Sequence, residues 1–309
     1  MLYRLRRSPS RTLGERVLKV LARPAIKLAL WRDPDPVIQV DLGRRTLWIN
    51  WSHNLPSFLE QFPNYETEIG RLAALIHARC GRLTMVDVGA NVGDTIALLP
   101  ELPAARFLCV EGSRRYFDLL VRNFGSNINV HCVNALISDG EMQMPNAELV
   151  EIHGSAHLRK TPITVPGGSR FETLDAVIDR HSQFSNANFL KIDTDGFDFR
   201  VLKGAAGLLA RSRPALHFEL AFRFWEEVGE TSMFDALTWL ADAGYRRGIL
   251  YDNLGFLIGA DSFEKPVKLT AFRDYGLRRH DFYLNVVAFH ESDRLAEEFL
   301  AGELERRYS

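Results

Sequence analysis

The chain has 309 residues, of which 46% are hydrophobic and 25% charged, with a formal net charge of −1. Such a length and composition predict a packed globular core and exclude a disordered or collagen-like chain. The near-neutral total hides an asymmetry. Residues 1–32 carry nine basic side chains (Arg4, Arg6, Arg7, Arg11, Arg16, Lys19, Arg23, Lys27 and Arg32) against Glu15 alone, leaving 29 basic and 38 acidic residues downstream. A mildly acidic body without a basic stripe interleaved with aromatics argues against a nucleic-acid partner.

No apolar run reaches the length of a bilayer span, and no apolar segment near the start is followed by small residues as in a cleaved signal peptide. The three cysteines, Cys80, Cys109 and Cys132, have no metal-ligand spacing, so a reduced, cytoplasmic chain is expected. Within the basic arm, Arg16, Lys19, Arg23 and Lys27 fall near one helical face and Leu13, Val17, Val20 and Leu21 toward another. That pattern admits peripheral contact with a membrane through residues 1–32; packing of the arm on the acidic body, or disorder, is the alternative. Pro24 would bend such a helix.

The arm runs into Asp33-Pro34-Asp35-Pro36, read as a linker, and residues 1–50 are assigned to arm and linker together. A β-like stretch spans Val37–Trp51. A helix is predicted over Tyr65–Arg79, with Ile69, Leu72, Ala73 and Ile76 on one face. From Leu83 strands and helices alternate. Leu83–Val88 and Arg106–Val110 are strands, and the helix after the second places Tyr116, Phe117, Leu120, Val121 and Phe124 at helical spacing. Asn129–Ile137 is a third strand, followed by a long irregular stretch. Phe189–Ile192 then precedes a helix with Val201, Leu202, Ala205, Leu208 and Leu209 in its stripe. Ala215–Leu220 is a strand and Met233–Ala243 a helix ending at Gly244. Arg247–Ile258 and Phe282–Phe289 are strand-like runs with no helix expected between them, and Glu291–Tyr308 closes the chain as an amphipathic helix. Alternating strands and helices predict an α/β fold with a mostly parallel sheet covered on both faces. The final pair, lacking a crossover helix, predicts an antiparallel strand near the C-terminus.

The strongest local signal is Val86-Asp87-Val88-Gly89-Ala90-Asn91-Val92-Gly93-Asp94-Thr95, directly after the first strand of the alternation. Gly89 lets the backbone turn where a β-carbon would clash, and Gly93 is expected to admit a ligand close to the helix start. Amides freed there suit a carboxylate, and Asp87 can face a cationic group. The spacing is G-x-x-x-G, not the G-x-G-x-x-G of nicotinamide and flavin folds, which disfavours a nicotinamide oxidoreductase. Glu111 ends the second strand about 20 residues on, where an acid can accept from ribose hydroxyls. Ser138-Asp139 ends the third, where a carboxylate can accept from an adenine amino group. Asp193, Asp195 and Glu219 lie at the ends of the next two strands, the edge where open α/β sheets bind ligands. Asp193 and Asp195 share a face and could hold a divalent metal, but no third oxygen ligand is identifiable, so none is assigned.

In order, D-V-G-A-N-V-G-D-T, V-E-G-S, A-L-I-S-D, T-L-D, K-I-D-T-D-G-F-D-F-R-V-L-K-G-A and H-F-E-L resemble the FkbM-type methyltransferase family, with Asn253-Leu254-Gly255-Phe256 and Tyr283-Leu284-Asn285 fitting its closing segments. The likeness runs from about Tyr65 to Phe289. It implies a Rossmann-like class I fold with a seven-stranded sheet and a methyltransferase domain over residues 51–290 whose cofactor core begins near 81; the C-terminal helix over 291–309 lies outside the likeness. It also implies transfer of a methyl group from S-adenosyl-L-methionine to a hydroxyl of a sugar, glycan or natural-product acceptor. Glu66, Asp87, Gly89, Asn91, Gly93, Asp94, Thr95, Glu111, Ser138, Asp139 and Asp193 would then line the cofactor, with Asp193 and Glu219 near the reacting centre. The family often has Glu where this chain has Asp195. A base must remove the hydroxyl proton; His217, Asp193 and Glu219 are the first candidates, with His153 and His157 behind them. Residues 139–175 are the expected acceptor cap. A methyltransferase-like binding scaffold without turnover is the remaining alternative.

Overall fold

The computed structural model describes residues 30–144, 147–160, 169–222, 233–279 and 282–308, together with 24, 27 and 28. The proposed basic and apolar faces upstream of Pro24 and the turn at Pro166-Gly167-Gly168 lie outside the described residues.

In chain order the elements are β1 (Val37–Leu42), β2 (Arg45–Asn50), α1 (Leu55–Gln61), α2 (Thr67–Cys80), β3 (Thr84–Val88), α3 (Asp94–Leu98), β4 (Arg106–Glu111), α4 (Arg114–Phe124), β5 (Val130–Asn134), β6 (Leu136–Ile137), β7 (Met142–Met144), β8 (Ala147–Ile152), β9 (Ser155–Lys160) and β10 (Ser169–Glu172). They continue as α5 (Leu174–Arg180), β11 (Phe189–Ile192), α6 (Asp198–Gly204), α7 (Ala206–Ser212), β12 (Ala215–Leu220), α8 (Met233–Asp242), β13 (Arg247–Asp252), β14 (Leu257–Ser262), α9 (Val267–Gly276), β15 (Leu284–Ala288) and α10 (Leu295–Tyr308).

The main sheet has eight strands in the order β14-β13-β15-β12-β11-β3-β4-β5. From β12 to β5 every pairing is parallel, whereas β15 runs antiparallel to both of its neighbours. This is the Rossmann-like class I methyltransferase arrangement, with β14 added as an eighth strand on one edge. The expected antiparallel ending is present, but by a different route. Arg247–Ile258 is two strands of a hairpin, and a helix, α9, does separate it from β15. That helix buries just Leu269 and Gly276, too sparse an apolar face for periodicity to reveal it.

Two apolar layers cover the sheet. On one face Ile69, Leu72, Ala73 and Ile76 of α2 and Tyr116, Leu119, Leu120 and Phe124 of α4 pack with Met85, Phe107, Cys109 and Phe189. On the other, α5 to α9 pack on Val86, Leu108, Leu190, Leu216 and Phe218. Val121, placed on the α4 stripe by spacing, is 40% exposed, and Leu119 fills the core in its stead.

Several boundaries move. Val40, Leu42, Leu47 and Ile49 of the β1–β2 hairpin are buried in the first layer, so residues 37–50 are core and not linker. Asp33-Pro34-Asp35-Pro36 is pinned as well. Ser52 donates to Asp35 through its amide (2.6 Å) and hydroxyl (2.8 Å), and the Trp51 amide donates to the Pro36 carbonyl (2.9 Å). The third predicted strand stops at Asn134, where the Glu111 carbonyl accepts from both the Ala135 amide (3.2 Å) and the Asn134 side-chain amide (2.7 Å). Leu136 and Ile137 then leave for a small sheet with β10 and β7.

The stretch expected to be irregular holds the β8–β9 hairpin and α5. The helix predicted through Ala205 breaks there, and Asp175 caps its second half by accepting from the amides of Gly207 (2.7 Å) and Leu208 (2.9 Å). α10 lies along α2, with Phe299 buried and Glu303 accepting from Arg71 Nε at 2.5 Å. No helix among the described residues is long and apolar enough to cross a membrane.

Candidate active site

A cavity of about 860 Å³ opens at the C-terminal ends of β3, β4, β11 and β12. That volume is ample for a small-molecule site. Of the residues singled out by sequence, Glu66, Gly89, Asn91, Asp94, Glu111, Asp193, Asp195 and Glu219 line it, as do His153 and His157. Asp87, Gly93, Thr95, Ser138, Asp139 and His217 are not among the lining residues.

The period-two alternation of the strands explains the second group. Lys191 on β11 sits in register with Asp87 on β3 and with His217 on β12, so these three side chains form a row on one face, beneath α2. The Lys191 ammonium lies 3.3 Å from Asp87 and 3.4 Å from Asp193 and is 2% exposed. Asp87 is fully buried, and neither of its oxygens makes a well-aligned hydrogen bond. Burial pushes its carboxyl upward, while Lys191 opposes that shift. Lys191 itself is held protonated by the carboxylates of Asp87, Asp193, Glu66 and Asp94, which outweigh its burial. His217 closes the row against Glu68 on α2, Nε2 to Oε1 at 3.2 Å, and Asn285 donates to the same oxygen at 3.2 Å. The structure thus corrects the assignment of His217 as a candidate base: it is a buried partner of Glu68, out of reach of the cavity.

The glycine loop is also less open than its sequence suggests. The amides of Gly89 and Ala90 donate to the Val110 carbonyl (2.9 and 3.1 Å), that of Gly93 to Ala90 (2.8 Å), and that of Asn91 to Glu111 Oε2 (2.8 Å). Gly89 has φ +82°, and a β-carbon there would meet the Asp193 carbonyl oxygen at 1.8 Å. The β3 turn and the end of β11 therefore touch backbone to backbone. At Gly93 the space is filled by the Phe124 ring, 2.4 Å from a notional β-carbon, so packing and not ligand approach explains that glycine. Ser138 is buried, and Asp139 faces Arg200 at 3.3 Å on the surface.

What converges on the cavity is carboxylate. Burial raises Glu66 and Asp195 to about 8 and Asp94 and Glu111 to about 7. At Glu111 the amides of Ser113 and Asn91 hold the rise in check. Glu219 is raised well above its ordinary value, first by burial and then by Asp193, Asp198 and Asp195. Its position is fixed by Asp198, which accepts from the Glu219 amide (2.9 Å) and from the Thr194 hydroxyl (2.9 Å), tying the ends of β12 and β11 together. Four of the six described non-glycine residues with positive φ, Glu66, Asn91, His153 and Asp195, line this cavity, so backbone strain concentrates there.

Two regions complete the walls, the first within the stretch 139–175 expected as a cap. The tip of the β8–β9 hairpin forms a roof: Asn91 donates to the Gly154 carbonyl (2.5 Å), the Asn54 amide to His153 (2.9 Å), and Ser113 to Glu151 (2.5 Å). An aromatic wall comes from Phe58, Phe62, Tyr65, Phe282 and Tyr283, with Tyr65 and Tyr283 hydrogen-bonded to each other. Lys191 had a readable signal, since a lone lysine inside a short apolar parallel strand needs a buried counter-charge. Tyr283 stood in a recognisable segment and Tyr65 at the start of a predicted helix, but nothing local pairs them across more than two hundred residues.

The charged lining residues are acidic apart from Arg279, among the described residues. That set suits a cationic ligand and is wrong for a pyrophosphate, which argues against the nicotinamide alternative. No group of three or more His, Cys, Asp or Glu side chains among the described residues is arranged to hold a metal ion.

A family model described as the methyltransferase FkbM domain matches residues 87–247, just over half of the chain. No curated protein matches it. Among solved structures, methyltransferase FkbM from Methylobacillus flagellatus KT is 16% identical with a TM-score of 0.40 over 63% of this chain and 55% of its own, so this chain spans about half the length of that protein. The O-methyltransferase from Bacillus cereus in complex with SAH is 16% identical, with a TM-score of 0.37 over 76% of this chain and 90% of its own. A TehB-like SAM-dependent methyltransferase from Corynebacterium glutamicum is 12% identical, with a TM-score of 0.36 over 75% of this chain and 92% of its own.

Proposed function

The chain belongs to the FkbM methyltransferase family, and from that premise we propose that it transfers a methyl group from S-adenosyl-L-methionine to a hydroxyl oxygen of a sugar, glycan or natural-product acceptor. The observation that carries the reading is the convergence of Glu66, Asp94, Glu111, Asp193 and Glu219 on one cavity.

The cofactor, when bound, supplies an electrophilic methyl on a sulfonium and brings an ammonium as well. Glu66 and Asp94 stand where they can accept from that ammonium, and Glu111, at the end of β4, from the ribose hydroxyls. Asp193 would set its carboxylate against the sulfonium's positive charge, an attraction that strengthens as water is excluded. Lys191 beneath it stays out of the cavity and sets one positive charge against both Asp193 and Asp87. Over a bound cofactor the β8–β9 roof would help exclude water.

On the acceptor side, the aromatic wall offers flat apolar faces and the Tyr65 and Tyr283 phenols offer hydrogen bonds to hydroxyls. Aligning the acceptor oxygen with the methyl group supplies several kcal/mol of the rate. Glu219 then takes the hydroxyl proton. Its burial makes it a stronger base than an exposed carboxylate, which is what removal of a weakly acidic proton requires. Calorimetry with S-adenosyl-L-methionine and S-adenosylhomocysteine tests the site, and Glu219→Gln tests the base. The variant should bind both ligands normally and lose at least about a hundredfold in kcat. Failure of the wild-type protein to bind either ligand would end the proposal.

A further inference from the structure

The basic arm meets the body at a short helical segment containing residues 24, 27, 28 and 30–32, from which Leu28 and Trp31 turn outward. Trp31 is 82% and Leu28 63% exposed, while Leu30 packs partly buried against the core. Residues three apart on a helix share a face, so Leu28 and Trp31 form one apolar ridge. Its direction is fixed from both sides, by Leu30 facing inward and by the clamp on Asp35 that follows immediately. Lys27 and Arg32 flank the ridge, and seven further basic residues precede it in the sequence against a single acid.

Tryptophan is rarely this exposed in a protein surrounded only by water. Its amphipathic ring is instead at home at the level of lipid headgroups. A duplex or an acidic protein would answer the positive charge but would give Leu28 and Trp31 nothing to enter, whereas an anionic bilayer answers both. We propose that the face presented by Leu28, Trp31, Lys27 and Arg32 docks this protein on the surface of a membrane rich in anionic phospholipid. The contact is peripheral. The apolar pair enters the interface and the cations meet the headgroup phosphates, so binding needs both terms and weakens with salt.

The test uses the full chain and sedimentation with vesicles of phosphatidylcholine alone or of phosphatidylcholine mixed with phosphatidylglycerol. Binding is expected to the mixed vesicles at low salt, with release at high salt and little binding to phosphatidylcholine. L28A/W31A should reduce partitioning about tenfold, as expected for losing two interfacial apolar groups, and K27E/R32E should reduce it too. Both variants should keep the wild-type melting temperature, since these side chains are solvent-exposed. Absence of binding to the mixed vesicles overturns the proposal. Equal binding by L28A/W31A also overturns it, as does duplex DNA displacing the protein from vesicles at equal phosphate concentration, because either result reduces the arm to a polyanion-binding tail. None of these outcomes depends on the methyltransferase reading.

Discussion

Replacing Lys191 with methionine removes one charge from the most enclosed part of the molecule while nearly preserving shape. In the wild-type protein the ammonium, 2% exposed, stands 3.3 Å from fully buried Asp87 and 3.4 Å from Asp193, whose side chain is 32% exposed. Asp193 can recruit solvent when its partner goes; Asp87 cannot. Breaking a buried ion pair from one side destabilises by about 3–5 kcal/mol, because the orphaned charge remains. With one of the two carboxylates partly solvated, the lower end, about 3 kcal/mol, is expected here. That is a large share of the ~5–15 kcal/mol that typically holds a domain folded. Urea titration at neutral pH would read the loss as a lower midpoint at unchanged slope. The double variant K191M/D87N removes the orphan and should recover at least half of the loss. A deficit below about 1 kcal/mol in K191M, or a double variant no more stable than the single one, would refute the claim that Lys191 serves Asp87.

Because Glu66 and Asp195 titrate near 8 and Asp94 and Glu111 near 7 in the folded chain, against about 4 unfolded, the native state holds more protons than the unfolded one between those values. Stability without cofactor is therefore fully present below about pH 4 as far as these groups are concerned, and is lost as pH rises through 7 and 8; a melting temperature that climbs from pH 6 to 8.5 would contradict this. Ionising the same carboxylates favours a cation, so calorimetry should show S-adenosyl-L-methionine binding tightening over that interval more than S-adenosylhomocysteine, which lacks the sulfonium. Gly89→Ala, with φ +82° and the Asp193 carbonyl in the way, should displace the end of β11 and weaken cofactor binding at least tenfold, by more than αL strain of about 1–2 kcal/mol alone would explain; wild-type affinity would show that the two backbones need not touch. His217→Leu deprives Glu68 of a hydrogen bond in the core and should lower stability by about 1–3 kcal/mol while leaving cofactor affinity intact, and a selective loss of binding would return His217 to the site.

What the sequence by itself determined is local. The strands β3, β4, β11 and β12, the face of α2 and the G-x-x-x-G turn were all readable, because a buried parallel strand is a short apolar run and an amphipathic helix repeats every three to four residues. The acids at the strand ends were readable for the same reason, since a strand's end fixes the end of the sheet on which its last side chain stands. Sequence alone did not show which of the named groups face the cavity. Asp87 and His217 belong to motifs as distinctive as Gly89 and Glu219, yet strand alternation and register place them with Lys191 in a row beneath α2, and register is a property of paired strands.

A cap over residues 139–175 was expected, but the contacts that build the roof and the aromatic wall were out of reach. Asn91 meets Gly154, and Tyr65 meets Tyr283, only after the sheet has brought together segments separated by tens to hundreds of residues. Nothing in the local composition of either segment specifies that meeting. The raised carboxyl groups follow from it too, because a side chain's proton affinity depends on the water and charges that folding removes or gathers around it.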